Sequence, residues 1–389
     1  MTNQLQHDTT APAGATTDAT PPGRFDWVDA AKGFCMVLVV LLHVAGWYEV
    51  EVNEGEPTLW FGVSETFAPL RMPLFFFISG FLAGPSLMRT LAGTRRKTIG
   101  LFFVFTIWTL LFVSRLFLPA ARGGEDAPSG WDVLLSVLLP TSFWYLWALP
   151  VFFLLAWLCV RLLGRFRAWA LAPFAVLAIV APLIDPATAH LLEAPLGRTE
   201  LGSVAANLVW FYAGVCGGPL WMRIMTRARW WKVGVASAVY AALFALASTT
   251  DTLSELKFFL APAALYAAAG MVALLNMNGR LMGALRRIGQ LTLPVYIFHI
   301  FAISVLSAVV KLGGITGMIH SGPWSVILPP VLAAVILIAS RLLGQLILGS
   351  RASWLLSAPD WLVGARPVRA PVSPADQARR GSDLRESRG

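Results

Sequence analysis

The sequence predicts an all-α, polytopic integral membrane protein with about ten transmembrane helices and both termini in the cytoplasm. Three observations predict this fold class: a composition poor in charge, a series of long apolar segments, and a regular change of charge sign between the connecting loops. Of the 389 residues, 57% are hydrophobic and 13% are charged. Soluble domains carry about 25% charged residues, so this chain lacks the polar residues that a water-facing surface of normal size needs.

Ten apolar segments are each close to the roughly 20 residues that a helix needs to cross a bilayer. They lie at residues 28–48, 68–88, 98–118, 143–163, 168–185, 203–221, 233–249, 257–276, 291–311 and 324–348. Both ends of the chain lack such segments and are rich in small, polar or basic residues. The sequence therefore predicts a disordered cytoplasmic tail at 1–23, a transmembrane domain at 24–350, and a basic, largely disordered cytoplasmic tail at 351–389.

The loops between these segments alternate in charge. Acidic or mixed loops follow the first, third, fifth and seventh segments, and the first of them contains Glu49, Glu51, Glu54, Glu56 and Glu65. Basic clusters follow the second, fourth, sixth and eighth segments, as in Arg95, Arg96 and Lys97. Because cytoplasmic loops of membrane proteins are enriched in Lys and Arg, the basic loops are predicted to be cytoplasmic. Termini on the same side require an even number of crossings, which ten satisfies.

The composition also argues against several classes of function. The net charge of +9 comes from basic residues spread between apolar spans, so no basic domain for binding nucleic acid is predicted. The three cysteines, Cys35, Cys159 and Cys216, all fall in apolar stretches without CxxC spacing, which argues against a zinc site or a disulfide framework. The expected location is the cell (inner or plasma) membrane, with several passes, and the oligomeric state is left open.

Two ionisable residues, Lys32 and His43, lie within the first apolar segment. Ionisable groups are costly to place in a membrane span and are therefore candidates for function. Eleven residues at about 100° each make roughly three helical turns, so both side chains lie on one helix face, about 16 Å apart along the axis. The loop charges place Lys32 near the cytoplasmic surface and His43 near the outer surface. We expect both to open onto one shared internal passage.

Four motifs stand out along the chain. They are Asp29-x-x-Lys32-Gly33 followed by Val39-Val40-x-x-His43, then Arg71-Met-Pro73 through Ser79-Gly80, then Phe143-Trp-Tyr-Leu-Trp147, and lastly Leu293-Pro-Val-Tyr296-Ile-Phe-His299. Together they resemble the motifs of a known family, the membrane acyltransferase family three. The resemblance covers nearly all of the membrane region and leaves out the two tails. Lys32 occupies a position where the family usually has Arg, a departure that resembles the fucose 4-O-acetylase-like branch.

The resemblance implies an enzyme that moves an acyl group, usually acetyl, from cytoplasmic acyl-CoA to an extracytoplasmic hydroxyl. Acetyl-CoA or another acyl-CoA would be the co-substrate, no metal would be needed, and the acceptor would be a carbohydrate or glycolipid. Besides the donor and the acceptor, the expected partners are membrane lipids. A different class of function stays open at this point, namely a transporter or flippase for a sugar-linked or lipid-linked molecule, with His43, Arg71 and His299 along the substrate path.

Three residues are candidates for catalysis under this resemblance. His43 can act as a general base or can carry the acyl group as an acyl-imidazole, or it can be a structural hydrogen-bonding residue. Arg71 can hold the acceptor or stabilise an oxyanion, or it can anchor its helix and pair with Glu65. His299 is either a second functional residue or an interhelical hydrogen-bond donor.

Further residues are candidates for substrate binding. Lys32 can seat the acyl-CoA donor or can simply pair with Asp29, three residues earlier on the same face. Arg95 and Arg96 can meet the phosphates of CoA or can be topology signals alone. Trp144 and Tyr145 can line an acceptor groove or form an aromatic belt at the outer surface. Ser79 lies beside Gly80, where helices can approach closely, and is a further candidate for substrate binding.

Overall fold

The computed structural model describes residues 26–87, 91–118, 127–191, 199–250, 252–275, 279–320 and 322–363. Within these ranges every regular element is helical and there is no strand, which confirms the all-α prediction. The predicted tail at 1–23 lies outside the described residues, as does most of the predicted tail at 351–389.

The helices follow one another with short connections. In chain order they are α1 Asp26–Trp47, α2 Leu59–Thr66, α3 Ala68–Leu87, α4 Leu91–Ser114, α5 Gly130–Leu138, α6 Trp144–Leu163, α7 Leu171–Val180, α8 Ile184–Thr188, α9 Leu201–Thr226, α10 Trp230–Thr249, α11 Leu253–Leu274, α12 Arg280–Gly289, α13 Thr292–Gly313, α14 Thr316–Ile319, α15 Trp324–Leu348 and α16 Asp360–Val363. A π-helical turn at Tyr48–Val52 extends α1, and α6 is joined to α7 by a 3-10 segment at Gly164–Ala170.

Nine helical runs in the described residues are long and apolar enough to cross a membrane, where the sequence predicts ten spans. The difference lies in one 45-residue run, Trp144–Thr188, which contains the predicted spans 143–163 and 168–185. Its contour of about 68 Å, at 1.5 Å per residue, is more than twice the apolar thickness of a bilayer. Gly164 breaks the run with φ of 50°, a conformation that favours glycine.

Hydrogen bonds place both ends of this run on the same side of the molecule. The Glu200 amide donates to the Pro140 carbonyl at 2.8 Å, just before α6 begins. The Gly202 amide donates to the Asp185 carboxylate at 2.6 Å, in α8. Because Pro140 and Asp185 both lie beside the start of α9, the chain between them runs across the bundle and returns. The run therefore supplies two crossings, and the even number that the loop charges require is retained.

Helices α3 and α9 cross at small residues. A Cβ added at Gly80 would lie 1.9 Å from the Phe211 carbonyl oxygen, and one added at Gly214 would lie 2.1 Å from the Phe77 carbonyl oxygen. Each helix thus brings a glycine against the backbone of the other, with Gly84 and Gly218 one turn further along. Helices in membranes associate through this kind of close packing, because lipid provides no hydrophobic driving force between them.

We expect Gly214→Ala to destabilise the protein, because the new methyl group meets backbone that cannot move aside. Overpacking typically costs about 1–3 kcal/mol. Gly217 lies in the same helix with open space at its Cβ position, so Gly217→Ala is the matched control and should not destabilise. Thermal unfolding of the detergent-purified variants measures the difference. Equal melting temperatures for the two variants would contradict the close crossing.

A second glycine contact fixes the start of α1, where Lys32 lies. A Cβ at Gly33 would come within 1.9 Å of the Leu285 carbonyl oxygen, and one at Gly289 within 1.7 Å of the Asp29 carbonyl oxygen. The short helix α12 is strongly amphipathic in sequence and packs along α1 through these two points. Arg286 of α12 also pairs with Asp26 at 2.9 Å. The base of α1 is therefore held on the basic side of the bundle.

The main apolar core lies between helices α1, α3, α6, α9 and α13. It is rich in aromatic side chains, including the fully buried Phe76, Phe152 and Phe211, which pack in a row with ring centroids 5.0 and 5.6 Å apart. Helix α10, by contrast, packs mainly on α11 and exposes most of its apolar residues, as expected of a lipid-facing helix. Function is therefore to be sought in the five central helices.

Candidate active site

A cavity of about 760 Å³ opens among the acidic loops of the bundle. We call it the acidic-end cavity. Helices α1, α3, α6, α9 and α13 each contribute lining residues, among them His43, Arg71, Trp144, Asn207 and Tyr296. All three candidates for catalysis come together here, since His299, although fully buried, lies against His43 at the wall of this cavity.

His43 and His299 form a pair of imidazole rings. Their centroids are 5.1 Å apart with an interplanar angle of 43°. His43 is exposed into the acidic-end cavity, and its imidazole makes no hydrogen bond with any residue that the structure describes. The His299 Nδ1 lies 3.0 Å from the Val295 carbonyl oxygen, which can only accept, so Nδ1 carries the proton in this bond. The His299 Nε2 is then an acceptor, and it is buried without a partner among the described residues.

Arg71 supplies the positive charge of this cavity. The residue is 8% exposed, and its guanidinium donates to the Ser64 carbonyl oxygen at 2.8 Å and lies 3.5 Å from the Glu65 carboxylate. The pairing with Glu65 that the sequence allows is therefore present. Because Arg71 also lines the cavity beside His43, the same guanidinium can stabilise negative charge that develops there.

Several polar residues of this cavity are not among the sequence candidates. Asn207 is 6% exposed, its Nδ2 donates to the Ser203 carbonyl oxygen at 2.8 Å, and its Oδ1 has no partner among the described residues. Glu200 and Lys257 line the same cavity, and Trp210 packs against Phe258 at its edge. In sequence Glu200 and Lys257 lie at the ends of apolar segments, where charged residues are common, whereas Asn207 and Trp210 lie within one, and no spacing motif distinguished any of them. Together they give this cavity a polar and aromatic lining.

A second cavity, of about 790 Å³, opens among the basic loops, and we call it the basic-end cavity. Lys32, Arg96 and Lys97 line it, together with Ser79 and Tyr145 deeper in the bundle. Lys32 is bonded to Asp29 at 2.8 Å, so it both pairs with its neighbour and faces the cavity. Arg95, predicted together with Arg96, is exposed and is not part of the lining.

The two cavities lie end to end along helices α1, α3, α6 and α13 and share no lining residue. Between them is a layer that we call the tyrosine layer: Tyr145, Tyr296, Phe75 and Phe76. The rings of Tyr145 and Tyr296 are 5.4 Å apart, and those of Phe75 and Phe76 are each 4.8 Å from Tyr145. The Tyr145 hydroxyl is 2.9 Å from the Ser79 hydroxyl, and the Tyr296 hydroxyl accepts from the Tyr145 amide at 3.3 Å.

The tyrosine layer corrects two expectations from the sequence. Lys32 and His43 do not share one passage, because packed aromatic side chains separate the cavities that they line. Tyr145 does not face outward as a residue of an aromatic belt would: it is 6% exposed, and its ring packs on Phe75 of α3. Trp144, the preceding residue, lines the acidic-end cavity as a groove residue would.

This layer is thin. Adjacent residues of α6, Trp144 and Tyr145, line opposite cavities. On α13 the lining changes from Leu293 to Tyr296 over three residues, which is about 4.5 Å of helix rise. Displacement of a few side chains would therefore connect the cavities.

A comparison with known families agrees with this arrangement. The family model described as an acyltransferase domain, of acyltransferase family three, matches residues 25–348. The chain belongs to this family of acyltransferases. The matched region of this family-three acyltransferase includes the whole lining of the acidic-end cavity, the lining of the basic-end cavity up to Leu293, and every candidate site residue predicted from the sequence. No curated protein and no solved structure matches the chain. The chain is thus a multi-pass membrane acyltransferase by its family and its apolar helices.

Proposed function

We propose that this acyltransferase transfers an acyl group, acetyl in the first instance, from acyl-CoA in the basic-end cavity to a carbohydrate or glycolipid hydroxyl in the acidic-end cavity. The basic end would face the cytoplasm and the acidic end the outside of the cell membrane, as the loop charges predict. One observation carries the proposal. His43, backed by the buried His299, lines one cavity, and a single layer of side chains separates this cavity from a second one lined by three cations.

The donor end suits a phosphate-bearing thioester. Lys32, Arg96 and Lys97 supply positive charge at the mouth, and phosphate groups bind such side chains through charge-assisted hydrogen bonds. Deeper, the lining becomes apolar and aromatic, with Leu149 and Phe153 of α6 and Val104 of α4. A slender pantetheine arm can follow this wall to the tyrosine layer, and parting of the Tyr145–Ser79 contact would bring the thioester to His43.

The acceptor end suits a ligand with several hydroxyl groups. The unpartnered Oδ1 of Asn207 can accept from one hydroxyl, Lys257 can donate to another, and Trp144 and Trp210 offer ring faces. A hydroxyl next to His43 would give its proton to the imidazole while its oxygen attacks the thioester carbonyl carbon. Arg71 would stabilise the oxyanion that forms. The carbon–sulfur bond then breaks, and the thiolate takes the proton from His43, leaving an ester and CoA.

His43 could also act in two steps with the same atom balance. The imidazole nitrogen would attack the thioester to give an acyl-imidazole and release CoA, and the acceptor hydroxyl would then attack the acyl-imidazole. Trapping of acyl-enzyme by rapid quenching in a neutral denaturant, which spares the acid-labile acyl-imidazole, distinguishes this route, because only the two-step route leaves label on the protein.

Membranes containing the chain, incubated with radiolabelled acetyl-CoA, test the proposal. We expect release of CoA thiol together with label on carbohydrate or glycolipid, and mass spectrometry of surface glycans with and without the chain would identify the acyl mass and the acceptor. Thiol release without acylated glycan would refute the acceptor class. Movement of a sugar-linked or lipid-linked molecule without any thiol release would favour a transporter, for which two cavities separated by a thin layer are also suited.

A further inference from the structure

The chain continues beyond its last long helix into an ordered segment. Residues Arg351–Leu355 form a 3-10 turn, and after a bend the short helix α16 follows. Leu356 is 4% exposed and belongs to the main apolar core, and the Trp108 indole donates to the Leu355 carbonyl oxygen at 2.7 Å. We call residues 351–363 the C-terminal segment. It lies at the start of the tail at 351–389 that the sequence predicts to be largely disordered, and residues 364–389 lie outside the described part of the chain.

The C-terminal segment forms one wall of the basic-end cavity. Its lining residues are Ser353, Trp354, Leu356, Ser357, Ala358, Pro359, Asp360 and Val363. The family match ends at residue 348, so this wall is an addition to the acyltransferase domain. The donor cavity is therefore completed by residues that the family assignment does not cover.

One carboxylate of this wall forms an ion pair with a basic side chain of the cavity. Asp360 Oδ1 lies 2.7 Å from the guanidinium of Arg96, which lines the same cavity from α4. Lys32 is likewise paired, with Asp29. Lys97, within the described structure, contacts only neutral groups: the Ser86 hydroxyl at 3.4 Å and the Phe153 ring at 6.0 Å. Of the three cations that face a donor, two are therefore already neutralised by carboxylates.

We propose that Asp360 is a specificity-determining residue for the donor, because it competes with the donor's phosphates for Arg96. This inference rests on the proposed function, in which acyl-CoA binds the basic-end cavity. A phosphate-bearing donor must displace the Asp360 carboxylate, which is 69% exposed and so free to swing away. CoA carries the same phosphates as acetyl-CoA, so the carboxylate competes equally with the product and favours its release. Donors that lack phosphates gain nothing from Arg96 and are not affected by Asp360.

Equilibrium binding to the full-length protein in detergent tests this inference. The probes are acetyl-CoA, free CoA and acetyl-pantetheine, which lacks the nucleotide phosphates. We expect Asp360→Asn to tighten binding of acetyl-CoA and CoA about fivefold, the upper range for an exposed ion pair. Asp360→Glu should bind like the wild type, and binding of acetyl-pantetheine should not change.

Two further variants separate competition from a general effect of charge. Glu56→Gln removes the same charge from an exposed site on the acidic loops and should leave donor binding unchanged. Arg96→Gln should weaken binding of acetyl-CoA, and in that background Asp360→Asn should have no effect. Unchanged or weaker binding of acetyl-CoA by Asp360→Asn would overturn this inference, as would equal tightening of acetyl-pantetheine binding. Either result would leave the proposed function standing. If the wild type binds no acetyl-CoA, the proposed function fails as well.

Discussion

His43→Ala abolishes acyl transfer while the protein remains folded. General acid–base catalysis by one side chain contributes about 10²–10⁴-fold, so we expect thiol release from acetyl-CoA to fall by at least about 100-fold. The fold should persist because the imidazole makes no hydrogen bond or ion pair with the described residues, and its contact is the ring of His299. Initial rates of acceptor-dependent thiol release, together with the melting temperature, measure both effects.

The control for this variant is another histidine of the acidic side. His320 lies in the chain after α14, away from both cavity linings, so His320→Ala should leave the rate unchanged. His43→Gln, which keeps a polar side chain but cannot take the proton, should be as inactive as His43→Ala. Activity of His43→Ala within a few-fold of the wild type would remove His43 from the catalytic machinery.

Arg71→Gln lowers the rate by about 10²–10³-fold, the loss seen when one group that stabilises an oxyanion is removed. The alternative explanation is that Arg71 only anchors the start of α3 through Glu65, to which it lies 3.5 Å away. Glu65→Gln distinguishes the two, since it breaks the same ion pair and leaves the guanidinium in the cavity. A partly exposed ion pair contributes about 0–1 kcal/mol, so this variant should stay within about fivefold of the wild type.

Arg71→Lys completes this series. It keeps the charge but loses the fork geometry that lets one group donate to Ser64 and to an oxyanion together. We therefore expect a rate between those of the wild type and Arg71→Gln. Equal losses for Glu65→Gln and Arg71→Gln, with matching falls in melting temperature, would show that Arg71 is structural.

The sequence predicted the fold class because composition, segment length and loop charge are properties of single segments. It also predicted His43 and Lys32 on one face of α1, since helix periodicity fixes that relation. The contact between His43 and His299 could not be predicted, because it depends on where α1 and α13 cross. The tyrosine layer was missed for a similar reason: Tyr145 opens a span in sequence, where aromatic residues usually mark the interface, yet it packs against α3.

The C-terminal segment shows a further limit of sequence patterns. Residues 351–363 are too short and too mixed in character to indicate a span, and the basic stretch that follows favours disorder. Its order comes from tertiary contacts, namely Leu356 in the core and the Trp108–Leu355 hydrogen bond. Such contacts join parts of the chain that are far apart in sequence, so no local pattern reports them.

Sided labelling of membrane vesicles tests the central claim, which is that a donor at the basic end and an acceptor at the acidic end react across the tyrosine layer. Radiolabelled acetyl-CoA, which does not cross the bilayer, is added outside inverted and right-side-out vesicles that contain the chain. We expect acylated glycan inside inverted vesicles, none with right-side-out vesicles, and none with His43→Ala in either. Equal labelling in both orientations, or labelling that His43→Ala retains, would contradict this account.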